Sequence, residues 1–206
     1  MDVVLNNLPE IGSSRFIAAY ESIDPRFALL CRVVKYWARR RRINDPLRGS
    51  LSTFSLVLMV INFLQSRRVL PTLSIMIFDR ESGLSPWSTQ DDYQINVQKY
   101  RDFASKNEEP HSRLLVKFFH FYSHKFSVDK DVVSVRTGTL LTKSEKKWNA
   151  EQQHLFAVEN PFNSSVNLAE NVTLQSLHRI SAEFKRAHSI LCESYKIYEV
   201  CKLAEQ

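Results

Sequence analysis

One stretch, Asp24 to Gln65 (DPRFALLCRVVKYWARRRRINDPLRGSLSTFSLVLMVINFLQ), constrains the fold more than any other part of this chain. In its first half, Phe27, Leu30, Cys31, Val34, Trp37 and Ala38 recur at three- and four-residue spacing, which predicts one buried helix face. Arg32, Lys35, Arg39 and Arg42 repeat at the same period on another face and make a cationic stripe. Asp24-Pro25 supplies a capping carboxylate and a proline at the first helical position. Asn44-Asp45-Pro46 is expected to end the helix, because proline disfavours helix in the residue before it. Gly49 and Ser50 then open a second helix, Leu51 to Gln65, apolar on nearly every side and therefore expected to be buried.

Thr53 and Phe54 fall in the first turn of that second helix. Open backbone N–H groups and the positive end of the helix dipole make such a turn an anion site. Lys35 and Arg39 could add full charges to the same anion, and a planar ring at Phe54 could support a base, so these residues spell a nucleotide pocket. The plainer meaning of the same pattern is a solvated basic face beside a core phenylalanine.

A chain of 206 residues with 44% hydrophobic and 24% charged residues can bury a sizeable core. Four glycines suit a helix-rich architecture better than a sandwich or a glycine-loop nucleotide fold. The formal charge of +6, concentrated in the run Arg39 to Arg42, favours a polyanionic partner. Cys31, Cys192 and Cys201 form no C-x-x-C pair and are odd in number, so a reducing compartment is expected. The longest apolar run, Leu56 to Ile61, is too short to cross a bilayer, and no membrane partner is expected. The glycosylation-type triplets at Asn163 and Asn171 read as chance.

Asp2 to Leu5 reads as a short strand, with Asn6-Asn7 and Pro9 as a turn. Val69 to Glu109 has no clear period; Trp87, Tyr93 and Tyr100 are scattered through it and read as packing residues rather than RNA-stacking ones. Ser112 to Phe126 predicts one amphipathic helix with Leu115, Phe118, Phe119 and Tyr122 inward. His120 and His124 are four apart and could share a metal, but with no third ligand in reach and no H-E-x-x-H they read as ordinary helix histidines. Val132 to Arg136 and Leu155 to Val158 predict strands joined by a polar connection through Lys143 to Lys147. A last helix is expected from Leu174 to Tyr198, with Leu174, Leu177, Ile180, Phe184, Leu191, Tyr195 and Tyr198 on one buried stripe. The fold class is therefore mainly α with a small β component.

Four blocks in order carry a resemblance: DVVLNN with IGSSRFIAAY and DPR; VKYWARRRRIND with GSLSTFSLVLMVINFLQ; LLVKFFHFYSHKFSVDKDVVSVRTG; and VENPFNSSVNLAENV. Together they resemble the cytoplasmic-type poly(A) RNA polymerases and terminal uridylyltransferases of the DNA polymerase β-like nucleotidyltransferase superfamily. The resemblance implies a helical central domain over residues 23–206, with a poly(A)-polymerase-associated segment at about 110–170. Residues 1–22 would be a remnant of the catalytic palm and its crossover. It places Asn7, Ser13 and Ser14 near ribose and base, Lys35 and Arg39 on the triphosphate, and Thr53 as a hydroxyl donor to phosphate. Arg39 stands for a family lysine and Phe54 for a base-stacking tyrosine. Asn160 stands for an aspartate near the base, and Val166 for the histidine that selects uracil in the uridylyltransferases, which tilts the substrate toward ATP.

In the complete enzyme the resemblance implies two Mg²⁺ (or Mn²⁺) ions about 4 Å apart on palm carboxylates, acting on the RNA 3′-hydroxyl and the triphosphate. Asp2 corresponds to the third carboxylate. The Gly-Ser and Asp-x-Asp motif that should precede it is not in these residues; Asp91-Asp92 stands in the wrong order, and Gly12-Ser13 occupies a sugar-contact position. The expectation is the nucleotide-binding half of a template-independent RNA 3′-end nucleotidyltransferase, inactive by itself. Its partners would be the RNA 3′ end and a nucleoside triphosphate, with an RNA-binding protein choosing the target, in the cytoplasm or the nucleus. The alternatives are a terminal uridylyltransferase, or a pseudo-enzyme serving as an interaction module.

Overall fold

The computed structural model describes residues 8–73, 100, 103, 107–148 and 154–204. Asp24 separates the first two helices, α1 (Leu8–Ile23) and α2 (Pro25–Arg40), and its side chain caps α2 by accepting from Arg26 N at 2.8 Å. The residues α2 buries are the six that its periodicity selects, Phe27 through Ala38. Pro9 lies inside α1, where a turn was expected.

The end of α2 differs from expectation, and the reason is local. Arg42 adopts φ 57°, Ile43 N donates to Ala38 O at 3.0 Å, and Arg42 N donates to Arg39 O at 3.2 Å. That is a Schellman stop built on an arginine, two residues before Asn44-Asp45-Pro46 is reached. Arg42 is thereby removed from the helical stripe. Asp45 instead caps a 3₁₀ turn, Pro46–Arg48, and Ser52 caps α3, which runs from Thr53 to Ser66. The same device closes α3: Arg68 has φ 56°, with Val69 N on Leu64 O and Arg68 N on Gln65 O, both at 2.9 Å. In each case the following β-branched residue, Ile43 or Val69, is fully buried and holds the stop in place.

As its composition predicts, α3 is the buried axis of the protein, with every residue from Ser55 to Gln65 inside. Its few polar side chains act as ties. Asn62 Nδ2 donates to Ser134 O (2.9 Å) and Thr139 O (3.1 Å), while Gln65 Nε2 donates to Tyr20 Oη (3.1 Å) and Val135 O (2.9 Å). These bonds hold α1 and a small hairpin against α3.

That hairpin pairs β1 (Asp131–Ser134) antiparallel with β2 (Thr139–Thr142). Sequence reading gave β1 but not β2, which is only half buried and lacks a continuous apolar run. The second expected strand, Leu155 to Val158, contributes a single parallel bridge, Val158 to Val133. The real hairpin lies just beyond it, β3 (Glu159–Asn160) against β4 (Asn163–Asn167), because Asn160 Oδ1 accepts from Phe162 N at 2.9 Å and shapes a turn there.

The expected helix Ser112 to Phe126 is split. α4 covers His111–His120 and passes into a π-helical turn, Phe121–Lys125; Leu114 rather than Leu115 joins Phe118, Phe119 and Tyr122 inside. α5 (Leu174–Ser194) ends at Tyr195 in the left-handed conformation (φ 56°), and α6 (Ile197–Val200) follows. The stripe expected to reach Tyr198 is therefore shorter. Leu174, Tyr195 and Tyr198 are exposed, while Leu177, Ile180, Phe184 and Leu191 are buried. Trp37, Phe119 and Phe184 meet edge to face at 4.8 and 4.9 Å, joining α2, α4 and α5 into one core. The fold is mainly α with small antiparallel hairpins. Among the described residues no helix is long and apolar enough to cross a membrane.

Candidate nucleotide-binding site

The start of α3 is built by short polar contacts. Ser52 Oγ accepts from Ser55 N at 3.0 Å, leaving the N–H groups of Thr53 and Phe54 as the open donors of the first turn. Thr53 Oγ1 donates to Asn44 Oδ1 at 3.2 Å, and Ser50 Oγ donates to Ile43 O at 2.9 Å, so the connection from α2 is folded back on the helix start. Phe54 is half-buried against the core, with its ring partly accessible rather than sealed inside.

On α2, Lys35 is half-buried and Arg39 exposed, and neither forms an ion pair with a described residue. The rest of the basic run has structural work. Arg40 Nε donates to Cys201 O at 3.1 Å, and Arg41 holds Glu183 with two bonds of 2.9 Å. No direct hydrogen bond or ion pair links Lys35 or Arg39 to Thr53 or Phe54. α2 packs on α3 through the folded-back connection, so Lys35 and Arg39 lie on the helix next to the one that Thr53 and Phe54 begin.

A second group borders the same turn. Ser55 Oγ donates to Leu168 O at 3.1 Å, which seats the segment after β4 against α3. Phe162, in the β3–β4 turn, packs edge to face on Phe16 of α1 at 5.6 Å. Ser13 lies one helical turn before Phe16 on the same side of α1, half-buried; Ser14 beside it is exposed. The hairpin itself carries Asn160 and Val166, both half-buried. Thus α1, the start of α3 and β3–β4 converge with Ser13, Thr53, Phe54, Asn160 and Val166 on them. Asp2, Asn7, Trp87, Asp91, Asp92 and Tyr93 lie outside the described residues. Tyr100 is half-buried and packs against the core.

Sequence reading missed Glu159, next to Asn160. Its carboxylate is buried and receives Ser134 Oγ, Arg136 Nη2 at 3.1 Å and Lys146 Nζ at 2.7 Å. Burial pushes this carboxyl up, but the hydrogen bonds from Lys146, Ser134 and Arg136 outweigh it and hold Glu159 below the usual carboxylate range. Lys146 also lies 4.7 Å from the Trp148 ring, which stacks on His154 at 4.9 Å. The charge at Glu159 fixes the base of the β3–β4 hairpin to β1. Nothing in the local sequence pairs Glu159 with Lys146 or Arg136, since their meeting is made by the hairpins.

The profile of the Cid1 family poly A polymerases matches residues 112–166. Over 208 residues the chain is 30% identical to the poly(A) RNA polymerase cid11 of Schizosaccharomyces pombe, covering all of this chain and 42% of cid11. It is 31% identical to terminal uridylyltransferase cid1 of the same yeast, covering 95% of this chain and 52% of that one. In structure it superposes on a cytoplasmic RNA terminal U-transferase with a TM-score of 0.75 at 29% identity, over 92% of this chain and 60% of the other. The chain belongs to this family of poly(A) RNA polymerases and terminal uridylyltransferases. It spans about half or less of the length of these family members. The profile-matched segment runs from α4 to Val166 in β4 and so includes Glu159, Asn160 and the π-helical turn. Within the family, Cid1 has been solved with the UTP analogue UMPNPP and with magnesium and 3′-dATP; it superposes on this chain with TM-scores of 0.73 and 0.75.

Proposed function

We propose that this chain is the nucleotide-gripping helical part of a template-independent RNA 3′-end nucleotidyltransferase that adds AMP from ATP. The observation that carries the reading is the start of α3. Open donors at Thr53 and Phe54 and a half-accessible ring lie beside a helix whose Lys35 and Arg39 have no carboxylate partner among the described residues. Triphosphate at the helix start would be met by backbone N–H groups and two cations, and Phe54 would lie flat against the base.

Adenylate is favoured over uridylate by one side chain, Val166, which offers the base no polar contact. Asn160 has its Oδ1 engaged by Phe162 N, so its Nδ2 amide is what it can present, a donor that suits an acceptor on either base. The family implies a magnesium ion, and the described residues do not fit one. Mg²⁺ wants convergent oxygens, whereas the only convergent set of Asp, Glu, His or Cys among the described residues consists of histidines. The part of these residues is to bind and orient the nucleotide. The net positive charge suits an RNA partner, with target choice left to an RNA-binding protein in the reducing cytoplasm.

Displacement of a fluorescent ATP analogue from the 206-residue chain, by ATP and by UTP, tests the reading. ATP should displace it at lower concentration than UTP. Phe54→Ala should weaken ATP by about 10- to 100-fold if a base stacks there, and Lys35→Ala with Arg39→Ala should weaken it further. Val166→His should move preference toward UTP. Unchanged ATP affinity in the Lys35/Arg39 double variant, with the fold intact by circular dichroism, would sink the proposal.

A further inference from the structure

The convergent histidines belong to a different part of the molecule. His120 ends α4, His124 lies in the π-helical turn, and His188 comes from the second half of α5. Their ring centroids are 4.8 to 4.9 Å apart, and one nitrogen from each lies within 4.8 Å of the others. Cys192, one turn after His188 on α5, places its Sγ 3.3 Å from His188 Nε2. We propose that His120, His124, His188 and Cys192 form a binding site for a divalent transition-metal ion of the zinc class, at the surface seam between the π-helical turn and α5.

His120 and His124, four residues apart, lie on one side of the passage from α4 into the π turn, and their rings stack 20° apart with centroids at 4.9 Å. The π turn is pinned from inside: Tyr122 Oη donates to Met59 O at 2.7 Å, and Ser123 Oγ donates to Phe119 O at 2.6 Å. Single π turns carry poorer backbone hydrogen bonding and recur at functional sites. Ser123 Oγ also lies 2.6 Å from His124 Nδ1, an outer contact that fixes the ring and leaves Nε2 as the free ligand atom.

The donor set decides the ion. Three imidazoles and a thiolate are borderline to soft ligands, suited to tetrahedral Zn²⁺, with Zn–N near 2.0–2.1 Å and Zn–S near 2.3 Å. Mg²⁺ and Ca²⁺ would find no carboxylate oxygen in this set. Ligand nitrogens on such an ion stand about 3.3 Å apart, so small side-chain rotations would close the present spacing. Burial, and then the neighbouring imidazoles, push His120 and His188 below the ordinary histidine value, which keeps their lone pairs available at neutral pH. Lys125 adds to this at His120. Cys192 is exposed and would bind as thiolate, releasing its proton to solvent. In sequence the site is two i, i+4 pairs, His120/His124 and His188/Cys192, far apart in the chain. His120/His124 alone lacks a third ligand, and α5 supplies it. None of the candidate nucleotide residues lies on α4 or α5, so the ion would staple the helices rather than take part in the transfer.

The test uses the untagged 206-residue chain, stripped with a chelator, titrated with Zn²⁺ against a chromophoric indicator and with Co²⁺ by absorption. The wild type should bind one Zn²⁺ and give the intense visible bands of tetrahedral Co²⁺ with a thiolate-to-cobalt band in the near ultraviolet. His188→Gln, and independently the exposed His124→Gln, should each weaken Zn²⁺ by about 100-fold or more, given that even outer contacts are worth 10- to 100-fold. Cys192→Ser should abolish the near-ultraviolet band. Zinc affinity in His188→Gln equal to wild type would overturn the site, leaving an adventitious surface pair. A weak octahedral Co²⁺ spectrum in the wild type would overturn it too. An unchanged Cys192→Ser spectrum would overturn the thiolate as fourth ligand.

Discussion

Glu183→Gln removes the charge that ties α5 to the end of α2. Three charge-assisted bonds end on this carboxylate: Arg41 Nε and Nη2, both at 2.9 Å, and Arg186 Nε at 2.8 Å. The Glu183 side chain is 12% exposed and that of Arg41 14%. Removing one partner of a well-buried pair costs about 3–5 kcal/mol, because the other charge is left uncompensated. Here the cations keep other acceptors: Arg41 Nη1 has Lys202 O at 2.7 Å and Arg186 Nη1 has Glu199 O at 3.3 Å. Some solvent also reaches them, so the expected loss is about 2–3 kcal/mol at pH 7. For a chain of this size that lowers the midpoint of thermal unfolding by about 5–10 °C.

The pH dependence carries a definite sign. Burial pushes the Glu183 carboxyl up, but the Arg41 and Arg186 bonds outweigh it and hold it below the usual range. A carboxyl with a depressed folded value adds stability above its unfolded value and loses it as pH falls through the folded one. The gap between wild type and Glu183→Gln should therefore be full above about pH 5 and shrink steadily below about pH 4. Urea unfolding followed by circular dichroism across that range measures it. A gap under about 0.5 kcal/mol at pH 7, as for exposed ion pairs, or one that does not change with pH, would refute the reasoning.

Two further substitutions probe the backbone. Gly138 has φ 70°, and a Cβ there would meet Thr72 Cγ2 at 2.6 Å, so Gly138→Ala should cost about 1–2 kcal/mol in urea unfolding, with Thr72→Ser relieving the steric share. Full rescue by Thr72→Ser would show that the positive φ costs nothing. Arg68 is exposed and left-handed at the stop of α3, so Arg68→Gly should raise stability by about 0.5–1 kcal/mol, and a loss would show that its side chain makes an unseen contact.

Much of the helical frame was legible because it follows from local rules. The buried face of α2 is set by spacing, and the burial of α3 by its lack of a polar face. Local rules misled where two of them competed. Asn44-Asp45-Pro46 is a strong stop signal, yet the chain had already turned at Arg42, since burying Ile43 stabilises the Schellman geometry over a longer helix. α5 likewise stops at Tyr195, although Tyr195 and Tyr198 continue the apolar period, because their rings have no core to face. The π turn left no mark that periodicity reads, since Phe118, Phe119 and Tyr122 are inside as an uninterrupted helix would place them.

The order of residues by itself determined that α2 and α3 form, which face α2 buries, and that the start of α3 carries open donors, because each depends on neighbours within a few turns. Tertiary packing alone decided which charges stay unpaired and which far-apart side chains meet. Arg40 and Arg41 are consumed by the C-terminal segment while Lys35 and Arg39 keep no partner among the described residues, and Glu159 is drawn onto Lys146 and Arg136. His188 reaches His120 and His124 for the same reason: coordination and ion pairing depend on ångström distances between elements, which no spacing along one chain encodes.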